Sequence, residues 1–222
     1  MSYSIAIDGP AGAGKSTIAK IVSKQLGYTY IDTGAMYRAM AVYFDEKGVN
    51  PDDENEINEH VDEVDIELKH IDGLQHVFLN SADVTDKLRL EQTGKMASKT
   101  SKYGAVRSKL VELQRKIAKS CDVIMDGRDI GTVVLPDAFL KIYLTASVDT
   151  RAKRRFDELK EKGQDCNLDL IKKDIADRDY ADMHREISPL KQADDAVLLD
   201  TSDMDIDAVV GAIIKLIEEK KN

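Results

Sequence analysis

The chain has 222 residues, 42% hydrophobic and 33% charged, which suits a folded globular protein and excludes a disordered one. A formal net charge of −9 argues against general nucleic-acid binding, which needs a net basic face. Any nucleotide must therefore be caught in a local basic pocket. No run approaches the ~20 apolar residues of a membrane span. With no signal-like N-terminus and two distant cysteines, Cys121 and Cys166, a reducing, cytoplasmic setting is expected.

Short apolar runs alternate with longer amphipathic stretches, the pattern of a parallel sheet wrapped by helices. A first strand is expected over 4–8, then a helix over 15–26, a strand over 28–32 and a helix over 35–47. From 64 to 89 the alternation breaks. Ile66, Leu68 and His70 alternate with charges, Asp72-Gly73 offers a turn, and residues 74–79 and a short run around Val84 follow. This reads as a small antiparallel sheet inserted into the α/β domain. Beyond it come a helix over 103–119, strands over 122–126 and 140–145, and helices over 150–162 and 168–185. A strand over 196–200 and a helix over 206–220 complete the chain.

Gly9-Pro10-Ala11-Gly12-Ala13-Gly14-Lys15-Ser16, followed by Thr17, fits a phosphate-binding loop between an apolar strand and a helix. Glycines let successive N–H groups turn toward phosphate oxygens, and the helix N-terminus adds a favourable dipole. Lys15 is expected to reach the β- and γ-phosphates, and the Ser16 hydroxyl to join a Mg²⁺ shell. A second metal carboxylate usually ends a neighbouring strand. Asp126 fits, closing Val123-Ile124-Met125, with Arg128 beside it.

The loop alone leaves switches, motor ATPases and small-molecule kinases open. The chain has neither the Asn-Lys-x-Asp of guanine-specific switches nor the Ser-Gly-Gly-Gln of transporter ATPases. It has arginines where elements end: Arg38, Arg107, Arg128, Arg151, Arg154, Arg155, Arg178 and Arg185. An acceptor that is itself a phosphate demands such cations, and the guanidinium fork suits phosphate. Arg151, Arg154 and Arg155 share one helix face by spacing, as do Arg178, Asp182 and Arg185.

Asp32-Thr33-Gly34-Ala35-Met36-Tyr37-Arg38, Asp126-Gly127-Arg128-Asp129-Ile130-Gly131-Thr132-Val133-Val134 and the Arg151–Arg155 cluster together resemble the bacterial cytidylate kinases. So do Asp83-Val84-Thr85 with Arg89, Arg178-Asp179, and Arg185 with Ser188-Pro189-Leu190. The resemblance runs in order over nearly the whole chain. It implies a three-layer α/β phosphate-loop fold with a five-stranded parallel sheet, a small antiparallel insert and a short helical lid. Core segments are expected at about 1–33, 120–148 and 190–222, a monophosphate-binding region at 34–119 and a lid at 149–189.

The resemblance also implies transfer of the γ-phosphoryl group from ATP to CMP or dCMP, with Mg²⁺, by a monomer. Arg38 and Arg128 would hold the acceptor phosphate, in the company of Asp32 and Tyr37. Ser98, Arg107, Asp129, Arg185 and the Thr33 hydroxyl would surround cytosine; the family often has serine at position 33. Arg178 and Asp182 would contact the pentose, and Arg151, Arg154 and Arg155 would close over the triphosphate. Cytosine differs from uracil at its 4-amino donor and N3 acceptor, so Asp129 and Arg107 are chemically suited to read it. Leaving such buried groups unpaired costs ~1–3 kcal/mol each, which rejects the wrong base. The acceptor phosphate is already ionised, so neither Asp32 nor any histidine is expected to act as a base.

Overall fold

In a computed structural model, residues 3–71 and 74–221 are described. The chain forms two compact units, Met1–Tyr30 with Cys121–Asn222, and Ile31–Ser120.

The first unit is built on strands β1 (Ser4–Asp8), β2 (Thr29–Asp32, which continues into the second unit), β6 (Val123–Gly127), β7 (Leu140–Thr145) and β8 (Val197–Asp200). They form a five-stranded sheet in the order β2-β6-β1-β7-β8. β1 pairs in parallel with both β6 and β7, and β7 in parallel with β8. Ile5, Ala6 and Ile7 are fully buried, because a central parallel strand is covered on both faces and has no polar side to offer. Ile5, Ile7, Ile124, Leu140, Ile142 and Leu144 pack with Ile18, Ala19 and Val22 of α1 (Lys15–Leu26) and Val209, Val210, Ile213 and Ile217 of α8 (Ile206–Lys221). The unit also holds α6 (Val148–Glu161) and α7 (Leu168–His184), which pack on one another.

α6 is capped by Ser147, whose hydroxyl accepts from the Thr150 N–H at 3.1 Å, so the helix begins at Val148, two residues before the expected start. α7 starts where Asn167 caps the N–H groups of Asp169 and Leu170. The expected helix over 168–185 stops one residue early, with Arg185 extended at φ −66, ψ 144. The third member of the predicted Arg178–Asp182–Arg185 face is therefore off the helix.

The second unit carries α2 (Thr33–Lys47), α3 (Glu54–Val61), β3 (Ile66–Ile71), β4 (Leu74–Leu79), β5 (Ala82–Asp83), α4 (Glu91–Thr100) and α5 (Gly104–Ala118). β3, β4 and β5 make the expected antiparallel sheet; the Asp72-Gly73 turn lies outside the described residues. Asp32 caps α2 by accepting from Ala35 N–H at 3.0 Å. α2 packs on β4, α4 and α5, and buries Met36, Ala39, Met40 and Phe44 completely. Neither α3 nor α4 was anticipated. α3 buries only Ile57 and Val61, and α4 buries Thr93, Ala97 and Thr100, a face without large apolar side chains. Hydrophobic periodicity has little to register there.

Candidate active site

The site begins where β1 ends. Gly9 lies at φ +150, and a Cβ there would meet the Leu144 carbonyl oxygen at 1.9 Å, so only glycine lets the chain pass so close to β7. Gly14 at φ +89 delivers the loop into α1. α1 has no side-chain cap and no acidic residue in its first turn, leaving its leading N–H groups and dipole to an anion. Lys15, buried at the helix start, donates from Nζ to the carbonyls of Gly9 and Pro10, both at 2.8 Å. Burial, followed by the nearby Arg128 charge, pushes its ammonium down to about 7, against the pull of Asp126, Asp8 and Asp182.

The Ser16 hydroxyl donates to Asp126 Oδ2 at 2.7 Å, and the Tyr30 hydroxyl donates to Asp126 Oδ1 at 2.8 Å. Asp126 is 4% exposed and lies one residue before the end of β6. A half-buried serine hydroxyl in contact with a buried carboxylate forms a hard-oxygen pair, which fits Mg²⁺ when phosphate and water complete its shell. Ser16 and Asp126 are therefore brought together as the sequence reading expects.

Beyond β6 the chain winds into a π-helical turn, Ile130–Val134, directly after Arg128 and Asp129. Two carboxylates hold this corner. Asp8, at the end of β1, accepts from Ile130 N–H at 2.8 Å through Oδ1 and from Gly131 N–H at 2.7 Å through Oδ2. Asp182 of α7 accepts from Arg128 Nε at 2.8 Å. Asp182 also lies 3.9 Å from Arg185 Nη1, and Arg185 Nη2 lies 3.7 Å from the buried Asp129. Arg128, Asp182, Arg185 and Asp129 thus form a ring of alternating charge at one corner. Arg185 is further fixed by donating from Nε to Ser188 O at 2.6 Å. Burial pushes the Asp8 carboxyl up to about 6; its two N–H donors pull it down, Asp129 pushes it up and Lys15 opposes.

The three arginines of α6 part company. Arg151 is buried and donates to Ala146 O at 2.8 Å and Ala11 O at 2.9 Å, with Asp179 at 2.7 Å. Asp179 in turn accepts from Ala11 N–H at 3.3 Å, so both sides of one loop peptide position are held. Arg154 donates to Thr201 O at 2.7 Å. Arg155 is exposed and pairs with Glu158 at 2.8 Å. Arg178 is exposed on α7. Asp8 and Asp179 went unassigned in the sequence reading; the signal for Asp8 was an acidic residue closing an otherwise apolar strand just before the loop.

In the other unit, Thr33 opens α2 and is buried, while Tyr37 and Arg38 sit half-buried one turn on. Arg107 of α5 is buried, donates to Ser101 O at 3.2 Å and lies 5.5 Å from the Tyr37 ring centroid. Ser98 is exposed on α4.

A strand, a glycine loop, a lysine and serine at a helix N-terminus and a carboxylate on the adjoining strand define a phosphate-loop nucleotide-binding protein. The family model described as cytidylate kinase matches residues 5–219. Curated relatives named cytidylate kinase include one from Lactobacillus johnsonii, 52% identical over 98% of this chain and 94% of its own. Another, from Caldicellulosiruptor bescii, is 50% identical over 96% and 94%. The chain belongs to the cytidylate kinase family. A crystal structure of an uncharacterized protein from Eubacterium ventriosum, 13% identical, covers 98% of this chain and 99% of its own with a TM-score of 0.54, a likeness of fold alone.

Proposed function

We infer that the chain transfers the γ-phosphoryl group of ATP to CMP or dCMP, giving ADP and CDP or dCDP. An ionised oxygen of the acceptor phosphate attacks the γ-phosphorus in line as the bond to the β-phosphate oxygen breaks. No covalent enzyme intermediate forms and no general base is needed. The observation that carries this reading is the pairing of a phosphate loop holding a buried lysine with a separate arginine–carboxylate ring on the same strand ends.

In this reading the loop Gly9–Thr17 cradles the triphosphate, and Lys15 stabilises charge on the transferred group. Ser16 and Asp126 hold Mg²⁺, which when bound neutralises charge on the phosphates. Arg38 and Arg128 are assigned to the acceptor phosphate, with Asp32 and Tyr37 beside them. Thr33, Ser98, Arg107, Asp129 and Arg185 are assigned to cytosine, and Arg178 and Asp182 to the pentose. Arg154 and Arg155 belong to the lid, with Arg151 anchoring it to the loop. Core, monophosphate-binding region and lid follow the divisions expected from the sequence. The protein works as a monomer in the cytoplasm in pyrimidine nucleotide metabolism, and its acidity supports free nucleotides rather than nucleic acid as its partners.

The test is a coupled assay over the nucleoside monophosphates. CMP and dCMP should exceed UMP in kcat/KM by about tenfold or more, the cost of one or two mispaired polar groups. Equal use of UMP would overturn the cytosine assignment.

A further inference from the structure

Asp8 has no part in the donor chemistry above, yet it is 5% exposed and spends both carboxylate oxygens on backbone N–H groups more than a hundred residues away. Those donors, Ile130 and Gly131, directly follow Arg128 and Asp129. The register explains the reach: Asp8 is the partner of Gly127 across the β1–β6 pairing, so its side chain meets the turn as the chain leaves the sheet. The contact also leaves little slack. A Cβ on Gly131 would come within 3.3 Å of Asp8 Oδ2 and 3.1 Å of the Lys141 side chain.

We propose that Asp8 is a positioning residue for the acceptor, holding from the donor-loop strand the turn that presents Arg128 and Asp129. The Arg128 guanidinium is held by Asp182 at 2.8 Å and by the Gly127 carbonyl at 3.4 Å, and Arg185 approaches Asp129 at 3.7 Å. Without the Asp8 carboxylate, the turn loses two hydrogen bonds to the strand that also begins the phosphate loop. Phosphoryl transfer depends on the spacing of donor and acceptor, so a small displacement there costs rate.

The charge of Asp8 separates a positioning role from general damage. Asp8 is a buried negative group close to Lys15. Removing its charge lifts a repulsion from ATP but also releases one of the pulls that keep Lys15 charged, two opposed effects that should leave ATP binding little changed, while electrostatics alone would help an anionic acceptor. Asp8→Asn keeps the size and one acceptor oxygen but turns an amide donor toward one of the two N–H groups. A weaker hold on CMP would then oppose the electrostatic trend and report misplacement of the turn.

The proposal rests on Arg128 and Asp129 being acceptor-side residues. Steady-state kinetics and ATP titration of Asp8→Asn should give a KM for CMP raised about tenfold, with the ATP dissociation constant within about twofold of the wild type. Gly131→Ala, which crowds the same contact while keeping every polar group, should raise it by about threefold and decides the matter if Asp8→Asn does not fold. Asp129→Ser, measured alongside for CMP against UMP, tests the cytosine reading separately. If Asp129→Ser leaves base preference intact while Asp8→Asn raises only the KM for CMP, the reading of Asp129 falls and the positioning role stands. An unchanged KM for CMP in the folded Asp8 variant, or a parallel loss of ATP and CMP binding, overturns the proposal.

Discussion

Charged side chains are handled differently in the two units. In the unit of Met1–Tyr30 and Cys121–Asn222, several of the groups assigned to the chemistry are shielded and tied to one another, although Arg155 and Arg178 are exposed. Arg151 meets Asp179, Arg128 meets Asp182, and Ser16 and Tyr30 share Asp126. In Ile31–Ser120 the ion pairs lie on the surface, as with Lys87–Glu46 and Lys99–Asp52, whose side chains are half exposed. There the candidate residues are placed by backbone position on α2, α4 and α5, over a core that includes Met36 and Met40. The contrast follows from the chemistry. Moving a phosphoryl group needs fixed charges aimed at one point, and low-dielectric surroundings strengthen them. The acceptor residues divide between the units: Arg128, Asp129 and Asp182 share these fixed charges, while Thr33 and Arg107 of the other unit are buried on helices.

Removing Lys15 should give the largest effect. Lys15→Ala should lower kcat by about 10³-fold or more with the far-UV spectrum unchanged. The same variant isolates a proton. With its pKa held at about 7, Lys15 is mostly neutral at pH 8, and a bound triphosphate favours the charged form. ATP binding at pH 8 should therefore take up part of a proton, and affinity should fall as pH rises above about 7. Calorimetry in buffers of different ionisation enthalpy should detect this uptake in the wild type and not in Lys15→Ala. Uptake of the same size in both would assign the proton elsewhere.

A second comparison sharpens the picture within α6. Arg151→Ala strands the buried Asp179 and should cost about 3–5 kcal/mol of stability. Arg155→Ala breaks only a surface pair and should stay within about 0.5 kcal/mol. Denaturant midpoints measure both. Equal stability in the two variants would deny that Arg151 is a structural strap on the loop.

The parts that were legible share a cause. β1, β6 and β7 announce themselves as short apolar runs because both their faces are buried, and the loop is readable because its glycines answer a geometric demand that Gly9 shows directly. Asp126 was found by its place near the end of such a run. α4 was not, because it packs through Thr93, Ala97 and Thr100 and so lacks the pattern that marks a buried face. Spacing put Arg151, Arg154 and Arg155 on one helix face, and spacing cannot tell that Arg151 turns inward to the Ala11 carbonyl while Arg155 stays in solvent. Asp8 and Asp179 were missed for a related reason: their meaning lies in partners far along the chain, which the position of Asp8 at the end of an apolar strand does not reveal.

The central proposal is that separate cations serve the two phosphates, Lys15 the donor and Arg38 of α2 the acceptor. Arg38→Ala tests it most directly, by measuring the KM for CMP and the dissociation constant for ATP in the same preparation. Loss of a charge-assisted, two-pronged phosphate contact should raise the KM for CMP about 10- to 100-fold, with ATP affinity within about twofold of the wild type. Weakened ATP binding with an unchanged KM for CMP would contradict the account.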